Sequence, residues 1–137
     1  MDFFTSLYQL NDLGILVLRI VLGVIFLVHG ISKFAMWKMQ PSEQMPKNML
    51  TMMRFLSIVE SLGGLAVLAG FLTQFAALGL GVIMIGALVF KIGIWKAPFT
   101  AQDKLGWEYD LILLAVSFAL FISGPGSLSV DRIFFGL

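Results

Sequence analysis

Four side chains in this sequence combine acid–base chemistry with an apolar setting: His29, Lys33, Glu60 and Glu108. His29 is the chain's only histidine, and it shares the run LGILVLRIVLGVIFLVHGISKF, from Leu13 to Phe34, with Arg19 and Lys33. About 20 mostly apolar residues cross a bilayer as a helix, which puts Arg19 and His29 at membrane depth and Lys33 at an edge. At 100° per residue, Arg19 and Lys33 fall within roughly 40° of each other and His29 within about 40° of Lys33. That stripe must face protein or water. A histidine beside a buried carboxylate can donate to a polar ligand atom and take up a proton near neutral pH. The same residues have a plainer use. Glu60 can neutralise His29 or Lys33 and clamp the first helix to the second, because an unpaired ion in a bundle is expensive.

The elements that must hold these residues follow from the apolar runs. From Phe55 to Phe90 the only ionised residue is Glu60, too long a run for one span, and Thr73 and Gln74 after Gly70 mark a tight turn between two. Trp107 opens a further span, WEYDLILLAVSFALFIS, which stops at Gly124-Pro125-Gly126. The expected fold is an all-α, integral membrane four-helix bundle, one domain over 1–137, with helices near 13–34, 55–72, 75–92 and 107–123. Pro46 suits the first turn of a helix that runs straight on into the second span. Phe3, Phe4, Leu7 and Tyr8 predict a short interfacial helix over 2–12. Small residues, Gly63, Gly64, Ala66 and Ala69 in one helix and Ala76, Ala77, Gly79, Gly81 and Gly86 in the next, let backbones approach in lipid.

Composition narrows the chemistry. Hydrophobic residues make up 59% of the 137 and charged ones 12%, with a mean hydropathy of +0.97, values outside those of a soluble domain. Absent cysteine excludes disulfides, iron–sulfur clusters, CxxC thiol chemistry and lipidation at Cys, and a single histidine excludes a bis-His haem. No metal-ligand cluster and no basic block for nucleic acid is present. Met49, Met52 and Met53 share one helix face, an adaptable apolar surface in preference to a copper site. The N-terminus lacks the basic region of a cleaved signal peptide, so the first span is expected to be retained.

Lys33, Lys38, Lys47, Arg54, Lys91, Lys96 and Lys104 belong to one side of the four spans and only Arg132 to the other, which predicts cytoplasmic long loops and both termini outside, in a cell membrane. His29, Lys33, Glu60 and Glu108 then converge on the cytoplasmic half. Arg19 stands alone in the outer half, about 15 Å away, and its nearest acid is Asp131, an expected structural ion pair over the GPG turn. Ser129 suits the cap of a short helix near Asp131. Trp37, Trp95, Trp107 and Tyr109 read as interface anchors. Asp110 lies about 200° around its helix from Glu108, so the two face different sides.

Three stretches taken together, LRIVLGVIFLVHGISKF, ESLGGLAVLAGFLT and GWEYDLILLAVSFALFISGPGSLSVD, resemble the DoxX family of small four-helix membrane proteins over nearly the whole chain. Lys91 departs from the resemblance, since members often carry a histidine near the end of the third helix. The resemblance implies quinone-linked oxidoreduction, as a small subunit of a terminal quinol oxidase or a partner of a thiosulfate:quinone oxidoreductase. His29, Lys33, Glu60 and Glu108 would then form the site of a bound quinone headgroup. The chain has no metal, thiol or flavin motif to accept electrons, so the redox centre is expected in a partner subunit. The alternatives are a small membrane carrier or lipid- or metabolite-binding protein, which would need a homo-oligomer to transport, and a scaffold recruiting a soluble redox enzyme.

Overall fold

Helical spacing of apolar residues, interrupted where proline and glycine fall, produces five α-helices in the computed structural model, which describes residues 7–136. They are α1 (Asn11–Lys33), α2 (Lys47–Ala69), α3 (Thr73–Leu88), α4 (Trp107–Ser123) and the short α5 (Val130–Phe135). α1 tightens into a 3-10 turn over Phe34–Lys38, and α3 widens into a π-helical turn over Val89–Ile94. Residues 2–6 of the interfacial helix expected over 2–12 lie outside the described residues; Leu7 and Tyr8 are helical, and a turn at 9–10 leads into α1 at Asn11.

Three helical stretches, Asn11–Lys38, Lys47–Ala69 and Thr73–Ile94, are long and apolar enough to cross a membrane. α4 has 17 residues and is about 25 Å long at 1.5 Å per residue, close to the thickness of the hydrocarbon core. Outward-facing side chains such as Val28, Leu62, Val82, Ile112 and Phe118 are exposed and apolar, as a lipid-facing surface requires. The protein is an all-α membrane bundle.

The second helix starts at Lys47, well before the expected residue 55. Pro46 stands immediately ahead of it with φ −57° and ψ 154°, so the helix runs unbroken from the loop into the span. It ends where Gly70 takes a left-handed φ of 72°, with Gly70 N donating to Val67 O and Phe71 N to Ala66 O, the paired bonds of a Schellman stop.

The core runs through Leu22, Phe26, Val67, Ala77, Leu80 and Leu120. α1 packs most intimately on α2 and α3 on α4, with looser seams between the two hairpins. At the first crossing, a Cβ on Gly23 would stand 2.8 Å from the Gly64 carbonyl oxygen, so the backbones touch. Five of the six buried positions of α1, Ile15, Arg19, Leu22, Gly23 and Phe26, recur 58 residues later in α3 as Thr73, Ala77, Leu80, Gly81 and Met84. Lys33 and Lys91 keep the same interval. The two hairpins thus enter the bundle as parallel repeats, each with a lysine at the end of its first helix.

Candidate functional site

Each of these lysines meets a carboxylate on the following helix. Lys33 Nζ lies 2.5 Å from both oxygens of Glu60, whose side chain is only 3% exposed. Lys91 Nζ lies 2.6 Å from Asp110 Oδ2. That second contact is an ion pair outside hydrogen-bond alignment, and Lys91 is the group that compensates the buried Asp110 Oδ2. The π turn carries Lys91 and then Trp95, whose amide donates to Phe90 O, around the rim; such turns recur at functional sites.

Between the two ion pairs is a cavity of about 380 Å³. His29, Lys33 and Glu60 face it from the first hairpin, and Lys91, Tyr109 and Asp110 from the second. Met52, Met53, Met84, Phe90 and Trp95 supply most of the remaining wall. His29 packs against Tyr109, ring centroids 5.8 Å apart and planes tilted by 50°. Both lysines have carboxylate partners, so the cavity lining is close to electrically neutral apart from His29. Its few polar groups stand among apolar and soft walls, the make-up of a small-molecule site.

Of the four expected site residues, the structure brings His29, Lys33 and Glu60 together, and Lys33 is the partner of Glu60. Glu108 is not part of the cavity; it is half-buried at the start of α4, and its amide donates to Phe99 O. Asp110 takes its place, because α4 buries the stripe Asp110, Leu113, Ser117 and Leu120 against the bundle and Glu108 falls off it. Sequence reasoning missed Asp110 and Lys91. Lys91 stands seven residues after Met84, on the face of α3 that the structure buries, whereas α4 carries no periodicity that singles out Asp110.

The tryptophans separate by role. Trp37 Nε1 donates to the buried Ser57 Oγ at 3.0 Å, while Arg54 donates to Met36 O and Met39 O. These bonds fasten the 3-10 turn after Lys33 to α2. Trp107 packs edge-on against Phe99, centroids 4.5 Å apart, and does not line the cavity.

At the opposite end, Arg19 and Asp131 do not pair directly. Arg19 Nε donates to Val67 O, Nη2 to Leu68 O, and Nη1 to Pro125 O and Leu128 O. Two of those carbonyls end α2, where unpaired acceptors and the negative pole of the helix favour a cation. Asp131 instead accepts from Leu72 N, Thr73 N and Thr73 Oγ1, capping the positive pole of α3. It holds Leu72 at φ 47°, a left-handed conformation costly for a leucine. The ion pair is replaced because open helix ends compete for both side chains and win by offering several bonds each. Ser129 Oγ accepts from Arg132 N and caps α5, as its position suggested.

The profile of the DoxX family matches residues 14–92. The chain is 31% identical over 131 residues to a Bacillus subtilis (strain 168) protein named "Putative oxidoreductase CatD", covering 90% of this chain and 89% of that one. It is 32% identical over 130 residues to the inner membrane protein YqjF of Escherichia coli (strain K12), covering 91% and 95% respectively. A third relative, an uncharacterized membrane protein of Mycobacterium tuberculosis (strain ATCC 25618 / H37Rv), Rv3486, is 31% identical over 140 residues, with 87% and 80% covered. No solved structure matches the chain.

Proposed function

The chain belongs to the DoxX family of membrane proteins, and from that premise we propose that it is a quinone-handling accessory subunit of a membrane oxidoreductase, of the quinol oxidase or thiosulfate:quinone oxidoreductase type, whose partner subunit carries the redox centre. The observation that carries the reading is the cavity between the Lys33–Glu60 and Lys91–Asp110 pairs, with His29 and Tyr109 on its wall. A quinone headgroup is uncharged, flat and oxygenated at opposite edges. An anionic ligand would have to displace a carboxylate from its lysine, whereas a neutral one leaves both pairs intact.

When bound, the quinone supplies the two-electron chemistry, and the electrons pass to or from the partner's redox centre. The residues of this chain orient the ring and handle its protons. Asp110 Oδ2 accepts a hydrogen bond from a ring hydroxyl, and the lysines donate to a ring carbonyl. His29 faces the cavity and is placed to take a proton at its ring nitrogen. Tyr109 covers one face of His29 and the methionines exclude water. The name of the Bacillus subtilis relative points in the same direction. We place the cavity end, with Lys38, Lys47, Lys96 and Lys104, on the cytoplasmic side of the plasma membrane and both termini outside.

The test is native mass spectrometry of the full chain released gently from its own membranes. The wild type is expected to carry a quinone-mass adduct, reduced about tenfold or more in Glu60→Gln and in Asp110→Asn, the loss of one hydrogen bond to a charged group. A quinone adduct unchanged in both variants, or phospholipid alone on the wild type, overturns the site.

A further inference from the structure

The repeat of the two hairpins separates cavity residues that packing asks for from those it does not. α1 maps onto α3 at an interval of 58 residues. α2 maps onto α4 in the same way: its buried positions Ser57, Glu60, Gly64 and Val67 recur 53 residues later as the buried positions Asp110, Leu113, Ser117 and Leu120. At these intervals His29 corresponds to Ala87 and Tyr109 to Leu56, and all four residues line the cavity. One pair that spans the two hairpins is polar, and its counterpart in the same fold is apolar. Alanine and leucine meet the packing needs of these positions, so packing calls for neither an imidazole nor a phenol.

The polar atoms of the pair are also unspent. His29 and Tyr109 meet through their rings, centroids 5.8 Å apart. The Ser32 hydroxyl donates to the backbone carbonyl of His29 and leaves its ring alone. Lys33 and Glu60 hold each other, as do Lys91 and Asp110, while among the described residues no hydrogen bond engages an imidazole nitrogen of His29 or the hydroxyl of Tyr109. Both groups stand beside apolar wall from Met52, Met53, Met84 and Phe90, where a polar group gains most from finding a partner.

We propose that Tyr109 is a ligand-binding residue of this cavity that works with His29, its hydroxyl donating to the same ring oxygen whose proton the imidazole exchanges. The inference rests on the quinone reading of the cavity. In the oxidised ring that oxygen is a carbonyl and accepts from Tyr109 Oη. In the reduced ring it is a hydroxyl, which still accepts from Tyr109 and donates its own hydrogen to a His29 nitrogen. The pair thereby selects a ligand oxygen that is an acceptor in one state and a donor in the other, a property that the acyl chains of the bilayer lack.

The test uses the full chain in lipid nanodiscs and one probe, a benzoquinone bearing a single isoprenoid unit, labelled with carbon-13 at one carbonyl or at the other. Tyr109→Phe removes the hydroxyl and keeps the ring. It is expected to weaken the probe about fivefold, the loss of one hydrogen bond between neutral groups, and to raise the infrared stretching frequency of one labelled carbonyl and not of the other. The double variant His29→Ala with Tyr109→Leu gives these positions the residues of their counterparts. It is expected to keep the wild-type unfolding midpoint and to lose the probe. Unchanged affinity and unchanged carbonyl frequencies in Tyr109→Phe overturn the role of Tyr109 while the headgroup site stands. A double variant that no longer folds also overturns it, since the pair is then a packing element. If the probe does not bind the wild type, the quinone reading fails and takes this one with it.

Discussion

Arg19 and Asp131 at one end of the bundle, and Lys33, Glu60, Lys91 and Asp110 at the other, are the same kinds of residue put to opposite uses. Every nitrogen of Arg19 and both oxygens of Asp131 bond to groups at helix ends and turns, mostly backbone, from three or more separate segments. Nothing is left over for a ligand, and the bonds draw α2, α3 and the Gly124–Ser129 turn to one point. At the loop end the charges hold each other across single helix pairs and stand around a cavity. Buried charge alone therefore does not mark a functional site. What distinguishes the ends is whether the charged groups are exhausted by the backbone or kept at the edge of an open space.

The largest effect that would break this contrast is at Arg19. Arg19→Met takes the donor from the carbonyls of Leu68, Pro125 and Leu128 and leaves Val67 O with Gly70 N alone, and is expected to cost about 3–5 kcal/mol and most of the folded yield; Arg19→Lys should recover part of it as a point charge without the guanidinium fork. Steric-trap unfolding in bicelles reads both, and a wild-type midpoint for Arg19→Met would show that the outer end is no lock. Asp131→Ala should follow at about 2–3 kcal/mol, from the loss of charged hydrogen bonds and of the restraint on Leu72. Its signature is faster amide exchange at Leu72 and Thr73, and unchanged exchange there would leave the capping role without support. The smallest effect on stability is expected where the charges serve a ligand: Lys33→Met with Glu60→Met together should unfold within about 1 kcal/mol of the wild type, since a buried pair exchanged for apolar side chains is close to neutral. A loss as large as that of Arg19→Met would make the inner pair a clamp as well.

Much of the bundle was readable in advance because a span needs about 20 apolar residues and little else. The start of α2 was readable from Pro46, which marks the first turn of a helix running on into the span, although the apolar run itself begins only at Phe55; bonds from Trp37 to Ser57 and from Arg54 to Met36 and Met39 tie these early turns to the 3-10 turn. Half of the candidate site was visible as a stripe on one helix with an acid on the next. The other half was obscured in α4, which is apolar almost all round, so that hydrophobic periodicity could not say whether Glu108 or Asp110 turned inward.

By itself the sequence determined that this is an all-helical membrane protein, that Arg19, His29, Lys33 and Glu60 lie within or at the edge of apolar runs and need partners, and where Gly70 and the GPG turn interrupt the helices. These are local properties, set by transfer from water to lipid and by the conformations glycine and proline allow. Only the tertiary structure decided who those partners are. Lys33 rather than His29 reaches Glu60, Asp110 rather than Glu108 meets Lys91, and Arg19 bonds to carbonyls rather than to Asp131. Every residue offers a carbonyl and each helix turns several side chains toward its neighbours, so the choice among partners rests on how the two hairpins dock, and docking is a property of the whole chain.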